Sequence, residues 1–379
     1  MATSPKATPQ PLHVGRPNLG SFATFSRLAK GIWESKWLTN NGPLVQRFET
    51  ELQRRLKVKH AIAVSNATIG IELAAKATGM KGDVLVPAFT FVATAHALEW
   101  IGLRPVLCDV NAETHNLDPA AAESRITKRT GGILGVHLWG RPCDIRGLQR
   151  VADDAGVPLA FDAAHAFGSR YGGRPIGSFG AAEVFSFHAT KFLNTAEGGA
   201  VTTNDDEVAE RLRLLRNFGF AGYDNVQSLG TNAKMNELTA ALGLTNLKSV
   251  ASFVKRNRAN HALYCKLLAN LPGLEVVRYD PAEQGNFQYV VCDIDPKKAN
   301  VDRDSLVEAL WRQGILARRY FAPGVHRMQP YARRRHAPLP ATDRLATRLL
   351  ALPNGMSMGP AEVRRVCRTF VSILDGRNN

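Results

Sequence analysis

Residues 131–164 read GGILGVHLWGRPCDIRGLQRVADDAGVPLAFDAA. The apolar run at 131–140 predicts a strand, and the spacing of apolar residues over 144–156 predicts an amphipathic helix. A second apolar run, 157–164, predicts another strand. Two strands joined by a helix of this length pair in parallel, because the helix supplies the crossover that a hairpin turn cannot. The same alternation extends outward on both sides. HAIAVS, DVLVPA and RPVLCDV read as strands, with GIELAAKATG and TFVATAHALEWIG as helices between them. EVFSFH and GGAVTTND add two more strands, and DDEVAERLRLLRNFG an amphipathic helix. Near-continuous apolar strands separated by helices predict an α/β domain with a mostly parallel, covered sheet.

Beyond this region, residues 236–271 form a long helical stretch without proline, and after Pro272 the pattern changes. GLEVVRY, FQYVVCDID, RDSLVEALWRQGI and PAEVRRVCRTFVSIL predict a smaller C-terminal α+β domain. The expected organisation is a loose, Pro-containing N-terminal arm (1–18), a large domain (19–255) and a small C-terminal domain (256–379).

Composition narrows the function classes. No apolar stretch is long enough to span a bilayer, and the N-terminus lacks the apolar core of a signal peptide. The five cysteines (Cys108, Cys143, Cys265, Cys292, Cys367) are scattered and form no CxxC pair, which argues against metal sites and a disulfide framework and fits a reducing, cytoplasmic setting. The net charge of +15 raises nucleic-acid binding, but the 48 Lys and Arg are dispersed and do not alternate with aromatics. A soluble basic surface, or a positive mouth that attracts a diphosphate-bearing small molecule, accounts for the charge better.

Chemistry enters where strands end. Asp162 closes the apolar run VPLAF. An ionised carboxylate there either caps the following helix or faces a cation at the carboxyl edge of the sheet, where open α/β sheets bind ligands. Ser65, Asn66, Ala67 and Thr68 lie between a strand and a helix, placed either as an ordinary cap or as an anion cradle. Phe89 and Phe91 either pack the core or stack on a flat ring. Lys191 stands between the aromatic run FSFH and the pair Gly198–Gly199. One chemistry uses all of these features. Pyridoxal 5′-phosphate needs an anion cradle, a lysine to form a Schiff base with its aldehyde, a carboxylate to keep its ring nitrogen protonated, and a flat packing surface. Two unit charges about 4 Å apart in a medium of effective dielectric near 20 attract by roughly 4 kcal/mol, so Asp162 is the expected determinant of the ring's charge.

With these residues in view, the chain resembles the DegT/StrS-type sugar-nucleotide aminotransferases, which are fold-type I pyridoxal-phosphate enzymes. The likeness runs from WLTNNGPLVQRFE near residue 37 to LALPNGMSMGPAEVRRV near residue 367, and is strongest in FDAAHAFG, FSFHATKFLNTAEGGAVTTND and LGTNAKMNELTAALGLTNL. The resemblance implies that Lys191 holds the cofactor and is the catalytic base and acid. It places Asp162 at the ring nitrogen, His165 near the ring hydroxyl and Phe91 against the ring. Ser186, Ala67 and Thr68 would bind the phosphate, and Asn232 would reach the phosphate site of a neighbouring subunit, so a homodimer is implied. Trp37, Thr39, Tyr320 and His326 are candidate contacts for the sugar nucleotide. Ala67 stands where Gly is frequent in the family and Lys234 where Arg is frequent; the latter loses a bidentate contact. FHATK, GTNAKM and YFAPGVHRMQPY look most like the enzymes that aminate carbon 4 of dTDP-4-keto-6-deoxyglucose with L-glutamate as donor. The lysine at 191 argues against the relatives that carry histidine there and act as dehydratases. A 3-aminotransferase acting on the 3-keto isomer, and a non-enzymatic binding protein that keeps the fold, are the alternative readings.

Overall fold

In the computed structural model, residues 10–280 and 284–374 are described. Seven strands form one sheet in the order His60–Val64, Gly199–Thr203, Ala182–Ser186, Leu159–Asp162, Thr130–Val136, Asp83–Pro87, Arg104–Cys108. Gly199–Thr203 runs antiparallel to both neighbours, and the other adjacent pairs are parallel. Side chains along a strand alternate between faces, and burial follows that period. Ala63, Phe161, Phe185 and Ala200 point into one core with Phe48, Leu148 and Leu244 from helices Pro43–Leu56, Ile145–Ala155 and Glu237–Leu247. Ile62, Val64, Ala160, Val184 and Val201 point into the other with Ile71, Leu98 and Leu212 from helices Ala67–Ala77, Ala93–Trp100 and Asp206–Arg216. Both faces are covered, which is why the strands read as unbroken apolar runs.

A smaller antiparallel sheet, Leu274–Val276, Val290–Ile294 and Leu349–Leu352, packs with helices Arg303–Arg312 and Pro360–Leu374 around a separate core. We propose that the lobe boundary lies within helix Val250–Leu268. Its Phe253 packs in the large lobe's core, whereas Tyr264 and Leu268 pack in the small lobe's. The expected single helical stretch over 236–271 is two helices, Glu237–Leu247 and Val250–Leu268. The break follows Asn246, whose side chain is fully buried and bonds outward: it accepts from the Gly20 amide (2.7 Å) and donates to the Asn194 carbonyl (2.8 Å).

The expected loose arm is corrected over its later residues. Residues 1–9 lie outside the described residues, but Leu12–His13 pairs in parallel with Ile315–Leu316 of the small lobe. Asn18 is fully buried. Its side-chain nitrogen donates to the Phe192 carbonyl and to Gln288 Oε1, both at 3.1 Å, and its oxygen accepts from the Met356 amide at 2.9 Å. Prolines did not leave this segment free, because one amide side chain finds three partners distant in sequence.

Candidate active site

The sheet topology brings one end of five strands to a common edge. Val64, Pro87, Val136, Asp162 and Ser186 end strands there, and the antiparallel strand begins there at Gly199. A cavity of about 350 Å³ opens above this edge. Lys191, Asp162, His165, Ser186, Ala67, Thr68, Phe91 and Tyr320 all line it.

One end of the cavity is built from backbone. Asn66 caps helix Ala67–Ala77 by accepting the Ile69 amide at 3.0 Å. The amides of Ala67 and Thr68 are left without an acceptor among the described residues, as first-turn amides are unless a ligand or water takes them. Gly199 explains why a glycine is needed beside them. A Cβ there would lie 2.9 Å from the Ala67 nitrogen and 2.8 Å from the Phe185 carbonyl oxygen. Ser186 accepts from the His188 amide at 3.3 Å, so its hydroxyl proton remains to be donated.

At the other end of the polar wall sits Asp162. Burial raises its carboxyl pKa, and the Ala164 amide, the Thr94 hydroxyl and the charge of Lys191 oppose that rise. The two hydrogen bonds measure 3.0 Å to Oδ1 and 2.9 Å to Oδ2. Thr94 in turn lies 3.1 Å from the Thr90 hydroxyl. Because Thr94 spends its one proton on the carboxylate, Thr90 is the donor to Thr94. The Lys191 amine is lowered to about 8, chiefly by burial, with Asp162 pulling it back upward. A neutral, nucleophilic amine is thus accessible near neutral pH.

His165 is held neutral, its pKa pushed well below the usual value by burial and then by the Lys191 charge. Its Nδ1 accepts the Trp139 amide at 3.2 Å, so Nε2 carries the proton. Tyr289 packs against its ring at 4.3 Å between centroids, and Trp139 stacks at 6.0 Å. Phe91 is 56% exposed at the rim, whereas Phe89 is fully buried in an aromatic cluster with Trp139 and Phe321. Phe89 thus packs the core, and Phe91 lines the cavity. His188 accepts the Thr190 amide on Nδ1 at 3.2 Å and faces Glu197 at 3.5 Å.

Four of the residues read from the sequence do not line this cavity. Asn232 is exposed, bridging to Asn217 on the segment beyond helix Asp206–Arg216. Trp37 is half-exposed, its indole donating to the Thr39 carbonyl at 2.7 Å; Thr39 is exposed. His326 makes its contact within the chain. Its Nε2 is held 2.8 Å from Asp343 Oδ1, and Arg327 shares that carboxylate. Conversely, the structure adds Tyr289 and Arg318 to the cavity wall, and sets Thr94 against Asp162 and Trp139 against His165. Only Thr94 left a trace in the sequence, four residues after Thr90 on the way into a helix.

The donor set fits pyridoxal 5′-phosphate. Free first-turn amides and a serine hydroxyl suit a phosphate, a buried carboxylate suits a ring N–H, and a buried amine of lowered pKa suits an aldehyde. Fold and site together define a fold-type I transferase of the pyridoxal-phosphate-dependent kind. Residues 23–371 match the DegT/DnrJ/EryC1/StrS aminotransferase family, and the chain belongs to that family. It is 35% identical over 322 residues to the dTDP-4-amino-4,6-dideoxy-D-glucose transaminase of Shigella dysenteriae, covering 85% of this chain and 88% of that one. It is 34% identical over 346 residues to the Escherichia coli protein of the same name, covering 90% and 92%. Among solved structures it resembles DesI, determined in the presence of its TDP-sugar product, with a TM-score of 0.94 at 48% identity, covering 98% of this chain and 95% of that one. It also resembles Helicobacter pylori PseC, an aminotransferase involved in the biosynthesis of pseudoaminic acid, with a TM-score of 0.90 at 26% identity, covering 97% and 100%. The chain is an enzyme, an aminotransferase, and the non-enzymatic reading is set aside.

Proposed function

We propose that this enzyme moves an amino group from L-glutamate to carbon 4 of dTDP-4-keto-6-deoxyglucose, giving a 4-amino-4,6-dideoxy sugar nucleotide. Pyridoxal 5′-phosphate is the cofactor. The carrying observation is the convergence of Lys191, Asp162 and the Asn66–Thr68 cradle on one cavity. The relatives named for a dTDP-4-amino-4,6-dideoxy-D-glucose product support the choice of carbon.

Bound there, the cofactor supplies an electron sink that lets an amino group be exchanged between two carbonyl carbons. The chain's own groups divide the remaining work. The amides of Ala67 and Thr68 and the Ser186 hydroxyl hold the phosphate. Asp162, whose ionised form Thr94 and the Ala164 amide favour, stabilises a protonated ring nitrogen. His165 offers its Nε2 proton toward the ring hydroxyl, its other nitrogen being fixed by the Trp139 amide. The Lys191 amine would take a proton from the donor's α carbon as a base and, in the second half-reaction, deliver one to carbon 4 of the sugar as an acid. Phe91, Tyr289 and Phe321 wall the cavity and exclude water from these transfers.

The working unit is read as a homodimer. Asn232 is exposed within a segment whose Phe218, Phe220, Tyr223, Val226 and Leu229 are all more than a third exposed. An exposed apolar patch of this kind marks an interaction surface. A second copy resting on it would put Asn232 beside the neighbour's phosphate cradle, and would bring in Trp37 and Thr39. Cytoplasmic residence accords with the scattered cysteines, which are unpaired among the described residues, where also no helix is long and apolar enough to cross a membrane.

The test is to incubate the purified enzyme with L-glutamate and either dTDP-4-keto-6-deoxyglucose or its 3-keto isomer, and locate the new amine by NMR. Amination of carbon 4 is the expected result; amination of carbon 3 alone would transfer the enzyme to the other regiochemistry.

A further inference from the structure

Two adjacent arginines of the small lobe have opposite surroundings. Arg319 is paired: Nε bonds Asp304 Oδ1 at 2.5 Å, Nη2 lies 3.3 Å from Glu308 Oε1, and the guanidinium sits 4.8 Å from the Trp311 ring. Arg318 forms no ion pair with a carboxylate of the described residues, yet it lines the cavity that contains Lys191. Its backbone is fixed by a pair of hydrogen bonds with Ala351, 3.0 Å and 2.8 Å, which tie it to the strand Leu349–Leu352. Its guanidinium lies over the Tyr320 ring at 5.6 Å, another cavity residue. An arginine anchored at its base, supported along its plane and left without a carboxylate is a receptor for an anion that comes and goes.

The other charged groups of the cavity cannot serve as that receptor. Lys191 is committed to the aldehyde, and His188 faces Glu197. The amide cradle belongs to the cofactor phosphate. Both proposed reactants are anions, one through carboxylates and one through a diphosphate, and they occupy the site in turn. We infer that Arg318 forms a second anion subsite, separate from the phosphate cradle, that grips the carboxylate or phosphate oxygens of a reactant at the cavity mouth. This rests on the proposed function and specifies how its substrates are held.

The experiment uses cofactor-loaded enzyme and two non-reacting probes, glutarate for the donor carboxylates and dTDP for the diphosphate, with binding measured by isothermal titration calorimetry. In Arg318→Met the affinity for at least one probe should fall about tenfold or more, as expected for loss of a charge-assisted bidentate contact, and Arg318→Lys should recover part of it. Loss for glutarate alone assigns the subsite to the donor, loss for dTDP alone to the nucleotide, and loss for both to a shared subsite. The KM of the matching reactant should rise in parallel. Arg319→Met serves as the neighbour control and should leave both affinities unchanged. Unchanged affinity for both probes in Arg318→Met would overturn the inference while leaving the proposed function standing. Failure of the unaltered enzyme to bind either probe would count against the proposed function itself and remove the basis of the inference.

Discussion

Burial raises the Asp162 carboxyl pKa, and the groups that oppose the rise are one backbone amide, one threonine hydroxyl and the charge of Lys191. Of these only Thr94 can be removed without disturbing the backbone or the reacting amine. Thr94→Val keeps the shape and deletes the hydrogen bond. It should cut kcat/KM about tenfold, the order expected for a bond to a charged group. The pH at which the bound cofactor's visible spectrum changes should move as well. Thr94→Ser should behave nearly as the parent enzyme, and a spectrum indifferent to Thr94→Val would show that the hydroxyl does not tune the carboxylate. Lys191 yields a prediction with a definite sign. Burial lowers its amine from 10.5 to about 8, so the nucleophilic neutral form predominates above about pH 8. Cofactor uptake by cofactor-free enzyme should therefore quicken as pH rises through a midpoint near 8 and then level off. A rate still climbing steeply at about pH 10 would mean that the amine keeps its ordinary pKa. Lys191→Ala should abolish both turnover and the visible absorbance of the loaded enzyme, and unchanged turnover would rule out its role.

At the scale of the element, strand ends and helix starts matter most. Gly199 begins the antiparallel strand where its neighbour Ser186 and the helix start at Ala67 converge. Gly199→Ala would place a methyl group within 3 Å of the Phe185 oxygen and the Ala67 nitrogen. We expect a stability loss of about 1–3 kcal/mol in denaturant unfolding, and weaker pyridoxal-phosphate binding by equilibrium dialysis. Binding at parental strength would mean that the helix start is not part of the cradle. Such places were legible in the sequence because they are local. Asp162 terminates an apolar run, Lys191 precedes a glycine pair, and Asn66–Thr68 sit at a strand-to-helix junction. Tyr289 and Arg318 reach the cavity from separate parts of the chain, and Thr94 and Trp139 touch its Asp162 and His165 from two more, so only the packing makes them neighbours. The split at Asn246 was hidden for the same reason. Its partners, Gly20 and Asn194, are distant in sequence, so nothing in the local periodicity announces the break. His326 likewise finds a partner outside its own motif, Asp343, seventeen residues on.

For the whole molecule, the decisive question is whether one chain completes a site. If Asn232 serves the neighbouring subunit, Lys191→Ala and Asn232→Ala enzymes should each be impaired, yet a refolded equal mixture should regain activity. Random pairing gives half heterodimers, each with one intact site of two, so recovery should approach about a quarter of the parental rate. Recovery of none would place Asn232 and Lys191 in the same subunit's site, and sedimentation of the parent as a monomer would remove the shared-site arrangement altogether.

Asn18 has a mechanical consequence. The same amide grips the carbonyl next door to Lys191, at Phe192, and the Gln288 side chain beside Tyr289 on the opposite lobe. A hinge running between the lobes would have to pull on this rivet before it opened. A swing of the small lobe that widened the entrance would strain the bond to Phe192, so the doorway and the loop bearing Lys191 share one fastening.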